Sequence, residues 1–189
     1  MIDPKPHATV LDATAANRHL WDEKFYEMVL YMDIEPALQI PPDLLGDNTQ
    51  TGFPDKRFKI EFYDPPHSWG ATSGIYTLKN HEESKAYWKK YDRPAYVRKT
   101  PGYYGLDKYK TKQDLLNHVG RAQKELHRIL EDGGLLIFKW CEVEVPLREV
   151  LKLTPEKPLF GHKVGKLMRT HWIAFLKPNA EHHARREAT

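Results

Sequence analysis

Short apolar runs that end in an acidic residue recur through the first third of the chain. Three runs follow this pattern: residues 8–12 (ATVLD), 28–33 (MVLYMD) and 58–64 (FKIEFYD), which end at Asp12, Asp33 and Asp64. Runs of this length predict β-strands, and Pro65 and Pro66 would end the third because proline has no N–H for a sheet ladder. Residues 15–21 (AANRHLW) predict the start of a helix between the first two strands. The pattern therefore predicts a β-α-β unit.

From Thr111 onwards the apolar period becomes helical. Apolar residues recur at spacings of three and four with charged residues between them: Leu115, Leu116, Val119, Ala122, Leu126, Ile129 and Leu130. Thr111 followed by Asp114 predicts a helix N-cap. At the other end, Gly133 and Gly134 predict the stop of the helix.

Two further strands are predicted after this helix. Residues 135–140 (LLIFKW) form a buried run, and residues 171–176 (HWIAFL) form the last one. Between them, residues 146–153 are polar and helix-like, and residues 154–170 read as a connection that contains proline and glycine.

Strands separated by helical patterns predict parallel pairing in an open sheet with helices on both faces. We therefore predict an α/β fold with one domain over residues 1–177 and a polar, disordered tail over residues 178–189. Ligands of such sheets bind at the carboxyl ends of the strands, near the switch point of the topology. Asp12, Asp33 and Asp64 are predicted to lie there.

One segment, residues 68 to about 110, has no apolar period, although connections in compact domains usually have about 4–6 residues. Between Tyr76 and Lys112 the chain has ten Lys or Arg residues against four Asp or Glu residues, with eight Tyr or Trp residues among them. Because cations neutralise phosphates and aromatic rings stack on bases, this mixture predicts a nucleic-acid-binding insertion. The alternative is a solvated insertion whose tyrosines pack on the domain. The predicted substrate contacts are Lys89, Lys90, Arg93, Arg98, Lys99 and Tyr104.

Composition narrows the class of protein. A chain of 189 residues that is 40% hydrophobic suits one domain, and its net charge of only +3 means that affinity for polyanions requires local clustering. The single cysteine, Cys141, excludes a disulfide framework and suits the cytoplasm. No apolar stretch approaches the roughly 18 residues of a membrane span, and the start does not resemble a signal peptide. The histidines lack the spacing of metal ligands. We predict a soluble cytoplasmic protein with no membrane partner and no metal, and make no prediction of its oligomeric state.

The tetrapeptide Asp64-Pro65-Pro66-His67, directly after a predicted strand, is the sharpest local motif. The two prolines stiffen the turn, so the Asp64 carboxylate and the neighbouring carbonyls keep a fixed arrangement. An exocyclic amino group is a poor nucleophile because its lone pair is delocalised into the ring. Accepting its hydrogens on Asp64 and on the Pro65 carbonyl would localise that pair, while His67 stacks on the base. The alternative is a strand-ending turn that carries no chemistry.

Several segments together resemble a known family. They are Leu11-Asp12-Ala13 with Asn17-Arg18 and Trp21, Asp33-Ile34, and residues 58–67, 134–140, 157–162 and 170–173. On these segments the chain resembles the class I S-adenosylmethionine-dependent methyltransferases, in particular the small phage- and prophage-type group related to the DNA N6-adenine and N4-cytosine amino-methylases. The resemblance covers about residues 8–177. It implies a single-domain Rossmann-like methyltransferase fold with S-adenosyl-L-methionine as the cofactor.

The resemblance also implies which residues bind the cofactor: Asp12, Ala13, Thr14, Ala15, Asn17, Asp33, Ile34, Asp47 and Asn48. Asp12 would help to orient the methionine amino end, Asp33 would accept hydrogen bonds from the ribose hydroxyls, and Asp47 would lie against the adenine amino group. Ala13 and Ala15 stand in the first loop, where family members usually have glycines that let bare backbone approach the cofactor.

The resemblance assigns the catalytic role to residues 64–67. The fourth position of this motif is usually Tyr, Phe or Trp in the amino-methylases, and here it is His67, as in some of the small group. Lys139 and Trp140 follow a buried strand that borders the same cleft, and we predict that they contact the substrate. The alternative for Lys139 is a solvated lysine at a strand end.

These observations lead us to expect an S-adenosylmethionine-dependent N-methyltransferase that acts on an exocyclic amino group of a nucleobase, with DNA favoured over RNA. Two alternatives stay open. One keeps the chemistry and changes the acceptor to RNA or to a small amine. The other is a non-catalytic module that binds the cofactor or nucleic acid.

Overall fold

The computed structural model describes residues 3–69, 109–142, 144–165 and 169–179. Six predicted substrate contacts in the insertion, and the tail beyond residue 179, lie outside these described residues. The six are Lys89, Lys90, Arg93, Arg98, Lys99 and Tyr104.

A seven-stranded sheet forms the centre of the protein, and the predicted α/β class is confirmed. Its strands are β1 (Val10–Asp12), β2 (Val29–Asp33), β3 (Leu44–Leu45), β4 (Phe58–Tyr63), β5 (Leu130–Cys141), β6 (Pro158–Val164) and β7 (Thr170–Leu176). The strand order is β3-β2-β1-β4-β5-β7-β6. All neighbours pair in parallel except at β7, which is antiparallel to both β5 and β6. The predicted mostly parallel sheet is therefore confirmed.

The long helix α1 (Lys112–Ile129) covers one face of this sheet. Thr111 is its N-cap, as predicted: the Thr111 hydroxyl accepts a hydrogen bond from the Asp114 N–H (3.1 Å), and the Asp114 carboxylate accepts one from the Thr111 N–H (2.9 Å). The helix buries one apolar stripe in the main core, formed by Leu115, Val119, Ala122, Leu126 and Ile129. A single turn, α2 (Leu147–Val150), and a 3₁₀ turn (Leu151–Leu153) pack against the same core.

The predicted stop of α1 at Gly133 and Gly134 is wrong. The helix ends at Ile129, and β5 begins at the next residue. Gly133 has a φ of +79°, and its N–H donates to the Lys177 carbonyl (2.8 Å), while the Lys177 N–H donates to the Gly134 carbonyl (3.0 Å). The two glycines therefore bend a long strand, at the point where the register between β4 and β5 also shifts.

The predicted helix at residues 15–21 is also wrong. This segment forms turns, and Ala16 and Arg18 have φ values of +43° and +57°, which a right-handed helix cannot contain. The turns cover the second face of the sheet over β1 and β2, where Trp21 packs on a small cluster with Val29 and Tyr31. Both helices of the described residues lie on the first face, so the prediction of helices on both faces fails for this part of the chain.

Two strands were absent from the sequence prediction. β3 has only two residues, and β6 lies within the predicted connection 154–170. Because β6 is exposed along almost its whole length, its sequence lacks the alternation of apolar and polar residues that marks a half-buried strand. Its Pro158 and Gly161 are tolerated because β6 is an edge strand. Among the described residues, no helix combines the length and the apolarity needed to cross a bilayer.

Candidate functional site

Three acidic residues meet at one edge of the sheet, because β1 lies between β2 and β4. Asp12 is the last residue of β1 and is in register with Tyr31 of β2 and Phe62 of β4. Asp33 ends β2, and Asp64 directly follows β4. The carboxyl ends of these parallel strands point the same way, so the three acids that the sequence singled out come together where the strand order reverses.

The loop after β1 ties these three acids to one another. The Thr14 N–H donates to Asp12 Oδ1 (3.2 Å), and the Thr14 hydroxyl accepts a hydrogen bond from the Asp64 N–H (2.8 Å). The Ala16 N–H donates to Asp33 Oδ2 (2.8 Å). Residues 13–16 therefore form a bridge whose position depends on all three strand ends.

Asp12 is completely buried and supports the loop from beneath. Its Oδ2 accepts a hydrogen bond from the Trp21 indole N–H (2.7 Å), so both oxygens have a partner within the protein. Burial raises its pKa to about 7, although the bonds from Trp21 and Thr14 favour the charged form. In this arrangement Asp12 orders the loop, and its carboxylate has no open path to a ligand.

Asp33 and its neighbours are more open. Asp33 is half-buried, and its Oδ1 accepts from the Glu35 N–H (2.9 Å). Each of its oxygens holds one backbone bond and keeps a second lone pair for a ligand hydroxyl. Ile34 is exposed beside it, whereas the Asn17 Oδ1 is used by the Ile40 N–H (3.2 Å) and shapes the neighbouring turn.

Asp47 and Asn48 follow β3 at the same edge. The Asn48 side-chain amide donates to the Ala13 carbonyl (3.3 Å), while its buried Oδ1 has no hydrogen-bond partner in the described part of the chain. Burial opposes the charge of Asp47, but two hydrogen bonds from Thr49 (2.8 Å each), with the charges of His118 and Arg121, hold its pKa below the ordinary value. Asn48 therefore offers an unsatisfied acceptor next to the loop.

Asp64 forms an ion pair with Lys139, which comes from the end of β5. The distance from Lys139 Nζ to Asp64 Oδ2 is 2.5 Å, and the side chains keep 28% and 21% of their exposure. Lys139 Nζ also lies 5.7 Å from the centre of the Trp172 ring. The second oxygen of Asp64 accepts no hydrogen bond from any described residue, so the pair presents a partly open acceptor beside a cation.

Beyond Asp64, Pro65 is buried and His67 is half-buried. The His67 and Trp140 rings form a T-shaped pair, with centroids 6.5 Å apart and planes at 82°. Burial lowers the pKa of His67, which favours the neutral imidazole at pH 7. Trp140 itself is completely buried and donates its indole N–H to the Val145 carbonyl (3.0 Å), so its ring has no exposed surface for the predicted substrate contact.

The structure brings the predicted residues of both groups to one edge: Asp12, Thr14, Asp33, Asn48, Asp64 and Lys139. Two contacts were missed by sequence reasoning. The Trp21 bond to Asp12 has no periodic signal, and the pairing of Lys139 with Asp64 joins residues 75 positions apart. The sequence did carry one signal for this ion pair: a lysine near the end of one strand and an acid at the end of the neighbouring strand.

The site suits a ligand with hydroxyl and amino groups, such as a nucleoside. Asp33 is half-buried, the amide oxygen of Asn48 has no hydrogen-bond partner among the described residues, and the side chains of the loop are small. In the described residues, no three His, Cys, Asp or Glu side chains come together as a metal site requires. No protein-family model matches this chain, and a search of curated proteins finds no match. Function is therefore inferred from the arrangement of the residues alone.

Proposed function

We propose that this protein is an S-adenosylmethionine-dependent methyltransferase that modifies an exocyclic amino group of a nucleobase, with DNA as the favoured acceptor. The observation that carries the proposal is the bridge of residues 13–16 between three strand-end acids. It couples the acid that would hold a nucleoside, Asp33, to the acid that would hold an acceptor, Asp64. A purely structural turn has no need of a link to both.

The strand order supports the same proposal. The first five strands follow the order 3-2-1-4-5, which is the order of doubly wound dinucleotide-binding sheets. The site lies at their switch point, between β1 and β4. We therefore assign the chain a Rossmann-like methyltransferase fold, and its single cysteine suits a cytoplasmic enzyme.

The residues at this edge fit the implied cofactor. Asp33 would accept hydrogen bonds from the ribose hydroxyls, and Asn48 would accept one from an amino group through its unsatisfied Oδ1. When bound, S-adenosylmethionine supplies an electrophilic methyl group on a positively charged sulfur. The protein contributes mainly alignment to such an in-line displacement, because charge disappears as the methyl group moves.

Asp64 is the residue that would position the acceptor. Lys139 holds one carboxylate oxygen at 2.5 Å and leaves the other able to accept an amino hydrogen. The two prolines stiffen the turn, and the Pro65 carbonyl would accept the second amino hydrogen. The amino nitrogen gains the methyl group and loses one proton, which passes to water.

His67 would provide the flat ring on which the base stacks. Its imidazole forms a T-shaped pair with Trp140, and its lowered pKa favours the neutral form, which adds no charge beside the transferring methyl group. A base in duplex DNA would have to leave the stack to reach this edge. The cations and tyrosines in the sequence of residues 70–108 suit the strand that such a flip distorts.

The test combines binding and transfer in three proteins: wild type, Asp64→Asn and the control Asp22→Asn, which alters an exposed acid outside the site. Calorimetry measures binding of S-adenosylmethionine. Incubation with tritiated-methyl cofactor and, in turn, DNA, RNA and a small-molecule extract measures transfer. We expect all three proteins to bind the cofactor, and Asp64→Asn to lose transfer by about 100-fold or more.

Each outcome has a distinct meaning. Label in RNA or in small molecules keeps the chemistry and changes the acceptor. Cofactor binding without transfer by the wild type identifies a binding module. Absence of cofactor binding by the wild type contradicts the proposal.

A further inference from the structure

A groove of about 790 Å³ lies over α1, on the first face of the sheet and outside the bridge described above. The apolar or small part of its lining comes from Leu116 and Gly120 of α1 and from Leu153 of the 3₁₀ turn. Three exposed cations stand along it: Arg121, Lys124 and Lys152. The groove therefore combines a floor without charge and a positive rim.

The positive charge of this rim is only partly offset by nearby acids, Asp47 for Arg121 and Glu149 for Lys152. Arg121, Lys124 and Lys152 form no ion pair within the described residues, whereas two other cations of the same helix do. Lys112 pairs with Glu149 (2.6 Å), and Arg128 pairs with Glu125 (2.7 Å) and Asp55. Of the described residues that line the groove, one is an acid, Asp114, and it is engaged by the N-cap. Positive charge is thus concentrated where the surface is concave.

Aromatic rings line the end of the groove near the candidate site. Tyr109 and His118 lie with their ring centroids 5.1 Å apart. The charges of His118 and Arg121 act on Asp47, which follows β3 at the edge that carries Asp64. The groove therefore approaches the candidate site from the side of α1.

We propose that this groove binds a single strand of nucleic acid, with phosphates on Arg121, Lys124 and Lys152 and bases against the uncharged floor. Charge complementarity identifies the occupant as a polyanion. Residues 70–108 of this chain carry eight Lys or Arg against four Asp or Glu, so they share the sign of the rim. An apolar floor beside the Tyr109 and His118 rings favours bases over an acidic peptide. The proposal stands on the groove and does not require methyl transfer.

The first test measures fluorescence anisotropy of a labelled random-sequence DNA strand of about 16 nucleotides at about 50 and 200 mM salt. The double variant Arg121→Gln/Lys124→Gln should bind about 10-fold more weakly and lower the slope of log affinity against log salt by about 1.4, because each phosphate contact contributes about 0.7. The control Lys59→Gln/Lys157→Gln removes the same charge from exposed positions outside the groove. It should keep the wild-type slope.

A second pair of variants tests the groove without changing charge. A Cβ at Gly120 would lie 3.7 Å from Leu153 Cβ, which is ordinary contact, so Gly120→Ala is tolerated. Gly120→Trp places a ring in the groove and should weaken strand binding several-fold relative to Gly120→Ala. Thermal melting of each variant confirms folding before binding is compared.

Three results would overturn the inference. Equal losses in the groove and control double variants would mean that binding depends on charge in general. Equal binding by Gly120→Trp and Gly120→Ala would place the strand elsewhere. Displacement of the strand by duplex DNA or poly-glutamate more readily than by unlabelled strand would identify another occupant. Strand binding by a wild type that fails to bind S-adenosylmethionine would refute the proposed function and leave this inference intact.

Discussion

The two faces of the sheet are covered in different ways. On one face, α1 inserts apolar side chains such as Leu115 and Leu126, which are completely buried. On the other, the turns between β1 and β2 are held by polar groups, chiefly Asp12 and Arg18. Apolar packing dominates the first face, on which Glu61 is the buried acid beneath α1, whereas the turns on the second face depend chiefly on the buried Asp12 and Arg18.

Arg18 shows how the polar face is built. Its side chain is only 3% exposed, lies 3.9 Å from the centre of the Tyr31 ring, and donates to the carbonyls of Lys24 and Pro41. It also pairs with Asp43 (3.3 Å). A buried arginine needs partners of this kind, because its charge is otherwise costly to bury. These polar turns lead directly into the loop that joins the three acids, so the face that is weaker in apolar packing is the one that carries the candidate chemistry.

The largest effect should come from the apolar face. Leu126→Ala removes a completely buried side chain from α1 and should lower the free energy of unfolding by about 2–5 kcal/mol, because the cavity does not close fully. Urea unfolding measures this loss. The control Leu126→Met conserves volume and should cost less than about 1.5 kcal/mol. Equal losses for Leu126→Ala and Leu126→Met would contradict the role of apolar packing on this face.

On the polar face, Asp12→Asn should change the pH dependence of stability. The folded-state pKa of about 7 lies above the ordinary 3.8, so the folded protein holds this proton more tightly than the unfolded chain. The stability that Asp12 contributes is full below pH 4 and is lost as the pH rises towards 7. Relative to wild type, Asp12→Asn should therefore gain about 2–3 kcal/mol between pH 5 and pH 8, since one pKa unit is worth about 1.4 kcal/mol. A constant difference across this range would refute the buried, protonated state of Asp12.

Thr14→Val separates stability from function on the same face. Valine keeps the shape and removes the hydroxyl that accepts the Asp64 N–H, so the free energy of unfolding should fall by only about 1 kcal/mol. Methyl transfer should fall by about 10- to 100-fold, because the acceptor-positioning acid loses its support. Thr14→Ser keeps the hydroxyl and should retain transfer. Equal transfer by both variants would remove the bridge from the mechanism.

The same contrast explains what the sequence could predict. α1 was predicted with its N-cap because apolar spacing and capping are local signals. The turns at residues 15–21 were misread as a helix because their conformation follows from the distant partners of Arg18, in particular Asp43. The burial of Glu61 could not be predicted from the sequence for a similar reason. Both Lys59 and Glu61 are polar positions of β4, yet Lys59 is exposed and Glu61 is completely buried.

In the candidate site, too, some features could be predicted from the sequence and others could not. The three acids could be placed from the sequence, because each follows a strand and parallel strands end at one edge. Their connections could not, since the bond between Thr14 and Asp64 and the ion pair of Lys139 with Asp64 depend on strand order and register. The resemblance supplied residue roles, but it assigned Asp12 to a ligand that its burial in this structure keeps out of reach.

The smallest effect should come from the exposed end of α1. Thr111→Ala removes the hydroxyl that accepts the Asp114 N–H and should lower the free energy of unfolding by about 1 kcal/mol. Thr111→Ser keeps the hydroxyl and should be close to wild type. Thermal melting of the three proteins in one buffer measures the difference.

The pH dependence of this cap sharpens the comparison between the faces, because its sign is opposite to that of Asp12. Hydrogen bonds from Thr111 hold the pKa of Asp114 below its ordinary value, so the cap is complete above pH 4 and is lost as the pH falls through the folded-state pKa. The cost of Thr111→Ala should therefore shrink on acidification, whereas the stability contributed by Asp12 should grow. If both variants responded to acid in the same direction, the contrast would reflect the net charge of the whole protein rather than the environments of Asp12 and Asp114.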